Sequence, residues 1–152
     1  MNIRKAVLLA LTLALCAAAP SGASEKRVKL NDLPAAVKKT VLEQSKGATL
    51  RGISQEVEKG KTYYEAELTV NKHHRDVLID ESGAIVEVEE EVPLASLPAA
   101  VTAGIEKQPP GGKILSAESI SKNDKIVAYE AVVLRNGKKK EIKVGPDGKP
   151  TT

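Results

Sequence analysis

Leu33-Pro34-Ala35-Ala36-Val37 recurs as Leu97-Pro98-Ala99-Ala100-Val101, and the two copies open segments that share their later landmarks. Tyr64-Glu65-Ala66 and then Gly83 follow the first copy; Tyr129-Glu130-Ala131 and then Gly148 follow the second. The offset is 64 residues at the leucine and 65 at the tyrosine, so one inserted residue reconciles the copies. A period of this size predicts one supersecondary unit used twice.

Within the first copy, Leu33, Val37 and Val41 recur every four residues with Ala36 beside them, the pattern of an amphipathic helix. Asp32 is the expected N-cap, Pro34 sits in the first turn where its missing donor costs little, and Gly47 is the expected C-cap. The second copy repeats the pattern through Leu97, Val101 and Ile105, with Ser96 as the expected cap and Pro109-Pro110-Gly111 as the stop. Helices of about three turns do not persist alone in water, so each needs a surface to pack on.

That surface is predicted by a change of period. Tyr64, Ala66, Leu68 and Val70 alternate with Tyr63, Glu65, Glu67 and Thr69, which puts the apolar set on one side of a strand. Tyr129, Ala131 and Val133 match it in the second copy, ahead of Asn136-Gly137, a strong hairpin signal because both central residues of a type I′ turn need positive φ. Asn71-Lys72 occupies the corresponding place. Counting outward from two-residue turns sets Ala66 against Val77, Tyr64 against Ile79, Ala131 against Ile142, Tyr129 against Val144 and Glu130 against Lys143. An earlier strand is expected at Thr49 to Val57 and at Lys113 to Ser121, and Ile85, Val86, Val88 and Val92 read as a fourth strand of the first copy only. The fold expected is therefore α+β: two tandem repeats, residues 24–92 and 93–152, each a short helix packed on an antiparallel sheet of three or four strands, the second shortened at its C-terminus. Units of about 60 residues are marginal alone, so the two are expected to pack together.

Met1 to Ala23 read as a signal peptide: Arg4 and Lys5, an apolar run from Ala6 to Leu15, and small residues at Ser21-Gly22-Ala23, with cleavage expected after Ala23. The run is shorter than the roughly 20 residues of a lasting span. Cys16 is a poor lipidation site because Leu15 precedes it where a small residue belongs, so no lipid anchor is expected. Loss of the only cysteine excludes disulfides and thiolate chemistry, and loss of Arg4 and Lys5 from 23 basic residues against 20 acidic ones leaves a net charge near +1. No basic stripe interleaved with stacking aromatics is present, which argues against nucleic acid.

Candidate contact residues come from the outward strand positions. Ala128, Val132 and Leu134 stand where the first copy has Tyr63, Glu67 and Thr69, so the outward side of the second copy is the more apolar; these residues either join the copies or meet an external partner. Tyr63 is the one tyrosine not assigned to the core. Lys138-Lys139-Lys140 read as guards on an open edge, and Glu87 to Glu91 as a solvated charge run at the boundary between copies. His73 and His74 are the only histidines; neighbours on a strand project to opposite faces, which is poor geometry for one metal, and no metal or other cofactor is expected. No nucleophile pairs with a base, and no catalytic residue is expected.

The Leu-Pro-Ala-Ala-Val helix, the Tyr-Glu-Ala strand, the short hairpin and Val77-Leu78-Ile79-Asp80-Glu81-Ser82-Gly83 together resemble the PepSY-like domain related to beta-lactamase-inhibitor proteins, over nearly the whole exported chain in two copies. Lys143-Val144-Gly145-Pro146-Asp147-Gly148 departs from that pattern, with Gly145 where the first copy has Asp80. The resemblance implies an exported, non-enzymatic domain that binds proteins, in some relatives restraining peptidases or lactamases. The function expected is thus a periplasmic or secreted module that binds a protein or peptide of the cell envelope through a sheet face or an open strand edge. The alternative is an envelope sensor or carrier for a small ligand or metal ion.

Overall fold

Two short helices form where apolar residues recur at helical spacing: α1 over Ala35–Gln44 and α2 over Ala99–Glu106. The computed structural model describes residues 25–108 and 112–151; the expected signal segment with Cys16, and the Pro109-Pro110-Gly111 stop, lie outside the described residues. Neither helix begins at its expected cap. Leu33 and Leu97 are extended, with ψ of 149° and 135°, because the residue before a proline is driven out of the helical region. Pro34 and Pro98 therefore take the cap position, and Asp32 and Ser96 close separate 3-10 turns just upstream. At the other end, Ser45 Oγ donates to Val41 O at 2.6 Å, and Gly47 with φ +74° turns the chain toward the first long strand instead of capping the helix.

Eight strands follow one another in space as in sequence: β1 (Lys26–Arg27), β2 (Thr49–Glu58), β3 (Lys61–Val70), β4 (His73–Asp80), β5 (Ile85–Glu91), β6 (Lys113–Lys122), β7 (Lys125–Arg135) and β8 (Lys138–Val144). Every neighbouring pair is antiparallel. The hairpin registers are those counted from the turns. Ala66 faces Val77, Tyr64 faces Ile79, Ala131 faces Ile142, Tyr129 faces Val144 and Glu130 faces Lys143. Both turns have two residues at positive φ, Asn71 and Lys72 at 50° and 72°, Asn136 and Gly137 at 49° and 73°.

The expected two repeats, each a helix on its own sheet of three or four strands, do not form. β5 pairs with β6 through Val88↔Ser121, Glu89↔Ile120, Glu90↔Ser119 and Glu91↔Glu118, so all eight strands make one continuous sheet. The physical reason lies in the backbone: two separate sheets would leave β5 and β6 as open edges, whereas joining them satisfies both rows of N–H and C=O groups. Because residues that face one another across a ladder share a side, α1 and α2 pack on the same face. α1 covers Ile53, Tyr64, Ala66, Leu68, Val77 and Ile79. α2 covers Ala117, Tyr129, Ala131, Val133, Ile142 and Val144. The run Glu87 to Glu91 is accordingly an interior strand and not a solvated boundary, and Glu87 and Glu89 are only 6% and 8% exposed. At the far edge, Pro150 bridges Val144 and Thr151 N donates to Lys143 O at 3.4 Å. Among the described residues no strand pairs with the outer side of β8 from Lys138 to Ile142.

Candidate functional site

The face of the sheet opposite the helices is assembled from the alternate strand positions that the core does not use. Two rows of facing residues cross it. Glu67, Asp76, Glu89, Ile120 and Ala128 form the first, from β3 to β7. Glu91, Glu118, Glu130 and Lys143 form the second, from β5 to β8. Glu65, Leu78 and Glu87 lie beside the first row. Like charges that face each other across a ladder repel, so this arrangement costs the folded state.

Three cations relieve part of that cost. Arg27 Nη1 lies 2.6 Å from Glu67 Oε1, Lys122 Nζ 2.8 Å from Glu87 Oε2, and Lys143 Nζ 3.2 Å from Glu130 Oε2. Among the described residues, Glu65, Asp76, Glu89 and Glu118 have no lysine, arginine or histidine at ion-pair distance. Ser54 Oγ donates to Glu65 Oε2 at 3.5 Å. Glu89 Oε1 is buried and has no hydrogen-bond partner among the described residues. No described helix lies over Glu89, so the side chains of the flanking strands are what exclude water from it.

Proton affinities follow from this crowding. Burial first, then Asp76, Glu56 and Glu67, push Glu65 up to about 7. Burial, then Asp76, Glu130 and Glu91, push Glu118 up to about 7. Asp76 rises to about 6 through burial and Glu67, against the pull of His74 and Arg27. Burial raises Glu89 as well, reinforced by Glu87, Glu118 and Glu130.

The structure brings Tyr63, Ala128, Val132 and Leu134 to this same face. They do not form one patch: four interstrand spacings separate Tyr63 from the β7 residues, about 19 Å across the sheet. Ala128, 5% exposed, belongs to the floor of the face with Ile120, whereas Val132 is half-buried and Leu134 is 36% exposed. The joint between the halves is the β5–β6 ladder, to which Val132 and Leu134 contribute nothing. The carboxylates were not singled out from the sequence as contact residues. Their signal is present in Glu87, Glu89 and Glu91, which alternate and so share one face.

His73 and His74 stand exposed at the start of β4, where His73 Nδ1 lies 3.8 Å from Glu91 Oε2 and His74 N donates to the same oxygen at 3.0 Å. Among the described residues no three His, Cys, Asp or Glu side chains are grouped to hold a metal ion. On the helix side, a groove of about 470 Å³ runs past Thr40, Gln44, Arg75, Ile85, Asn123 and Asp124. Its lining is mainly polar, unlike the apolar walls that enclose most small organic ligands.

No family model matches the chain, and no curated protein matches it. Solved structures do. A proposed periplasmic protein from Bacteroides eggerthii aligns with a TM-score of 0.62 and 18% identity over 79% of this chain and 86% of its own. A DUF2874 family protein from Bacteroides ovatus gives 0.59 and 18% over 79% and 85%. A BLIP-like protein from Bacteroides fragilis gives 0.55 and 18% over 79% and 84%. The chain thus has a BLIP-like fold. Among the described residues no helix is long and apolar enough to cross a membrane.

Proposed function

We propose that this chain is a non-enzymatic binding module of the periplasm or the cell exterior, which grips a protein or peptide with the helix-free face of its sheet. The observation that carries this reading is the uncovered face itself, where among the described residues Glu65, Asp76, Glu89 and Glu118 have no cation at ion-pair distance, and which also carries the half-buried Val132 and the exposed Leu134. Such a surface weakens the fold that carries it, and its composition suits a complementary partner. The periplasmic description of one structural neighbour and the BLIP-like description of another support the same reading, and a PepSY-like role in restraining a peptidase or another envelope protein is its sharper form. The face is favoured over the open edge of β8 because Lys138, Lys139 and Lys140 line that edge with charge, a common device against strand addition.

Affinity capture from an envelope fraction, with the exported chain and its Val132→Glu variant as parallel baits, tests the reading. The expected result is a protein retained by the parent and lost by a variant whose melting temperature is unchanged. Retention by both baits would remove the Val132 side of the face from the binding site. A captured peptidase assayed with and without the chain tests the inhibitory form.

A further inference from the structure

We infer that the partner presents a cationic segment to this face: an extended stretch of protein whose lysine or arginine side chains reach Glu89 and Glu118 between β4 and β7. This inference rests on the protein-binding reading above and adds the chemistry of the partner to it. Two independent observations carry it. The first is uneven neutralisation, since Arg27, Lys122 and Lys143 pair with Glu67, Glu87 and Glu130 while Glu65, Asp76, Glu89 and Glu118, each on a different strand, have no cation at ion-pair distance among the described residues. The second is Glu89, which is 8% exposed and sits in the middle of the face with an oxygen that meets no donor among the described residues. A buried acceptor without a donor is the group that gains most from an arriving N–H.

The spacing selects the kind of cation. Strands lie about 4.8 Å apart, so carboxylates on β3, β4, β5 and β6 extend over roughly 15 Å. One inorganic ion meets all its ligands within about 2.5 Å, and the described residues hold no metal-ligand group. Side chains on one face of an extended peptide recur about every 6.8 Å and match a spread-out set of carboxylates much better. The attraction is local as well. The whole chain carries a formal charge of +3, so the negative potential of this face is not a property of the molecule as a whole.

The test uses an alternating arginine–threonine dodecapeptide, its glutamate–threonine counterpart, and calcium or magnesium chloride alone, each titrated calorimetrically into the purified chain at pH 8 and about 50 mM salt. One-to-one saturable binding of the arginine peptide, and none of the glutamate peptide, is expected. Glu89→Gln with Glu118→Gln should weaken binding at least about tenfold, whereas Glu43→Gln with Glu106→Gln on the helices should leave it unchanged. Melting curves verify that both double variants fold; neutralising buried carboxylates should not unfold them. Absence of saturable binding, equal losses in both double variants, or displacement of the peptide by a divalent chloride alone would each overturn the inference. Failure here, together with Val132-dependent capture, would dismiss the cationic partner and leave protein binding standing. Peptide binding that depends on Glu89, with capture indifferent to Val132→Glu, would do the reverse for the Val132 side of the face.

Discussion

Glu118→Gln should stabilise the protein at pH 8 and leave it unchanged near pH 4.5. Glu118 stands between Glu91 and Glu130 across the sheet, and burial followed by its acidic neighbours lifts its carboxyl from the ordinary 4.5 to about 7. A folded-state value above the unfolded one means that the native chain binds the proton more tightly. Stability from this group is therefore complete below about 4.5, declines as pH rises, and is lost above about 7. Glutamine keeps the shape and never ionises. The gap between the two values corresponds to about 3 kcal/mol at most. Solvent screening around a half-buried carboxyl reduces this to roughly 1–2 kcal/mol. For a domain of this size that is a rise of roughly 4–10 °C in melting temperature.

Differential scanning calorimetry of parent and variant at pH 4.5 and pH 8 reads the effect directly. The difference between the two proteins should be large at pH 8 and vanish at pH 4.5, where the parent already holds the proton. An equal gain at both pH values would mean that packing, not charge, is responsible. No gain, or a loss, at pH 8 would show that Glu118 is solvated or neutralised, and the claim of an uncompensated face would fall with it.

Tyr64→Ala or Tyr129→Ala should each cost on the order of 3 kcal/mol in urea unfolding by leaving a cavity under its helix; the two side chains are 8% and 9% exposed, and an unchanged midpoint would remove them from the core. Lys72→Gly should raise stability by roughly 0.5 kcal/mol, because relief of a side chain held at positive φ exceeds the extra freedom of glycine in the unfolded chain. Lys72 has φ 72°, nearly that of Gly137 in the other hairpin, and a lower urea midpoint would show that its side chain contributes more than its backbone loses.

Local structure was legible wherever one physical rule dominates. Asn136-Gly137 admits few backbone conformations, so its turn and the facing of Tyr129 with Val144 follow by counting. Valines at helical spacing located α1 and α2, but their starting points were misplaced because the restraint that Pro34 and Pro98 impose on the preceding leucine outweighs a polar cap. The joining of the halves was not legible. Strand pairing is made by backbone groups common to all residues, so nothing in Ile85–Glu91 or Lys113–Lys122 names its neighbour. The carboxylate face was half legible: alternation places Glu87, Glu89 and Glu91 together, but not against Asp76, Ile120 and Glu118.

The joining that overturned the expected two-sheet fold also creates the candidate site. In a sheet that ended at β5, Glu87 and Glu89 would lie on an edge strand, open to water on one flank and free to ionise at ordinary carboxylate pH. Pairing with β6 places Ile120 beside Glu89 and brings Glu118 against Glu91, so water is removed from one side while negative charge is added from the same side. Both changes act against ionisation, and burial is the larger for Glu89 and for Glu118. A folded chain accepts that cost because the apolar sets beneath α1 and α2 lie on the opposite face and are untouched by it. The division of labour follows from the meander: helices on one side supply stability, and the side they leave bare holds charge that an arriving cation can neutralise.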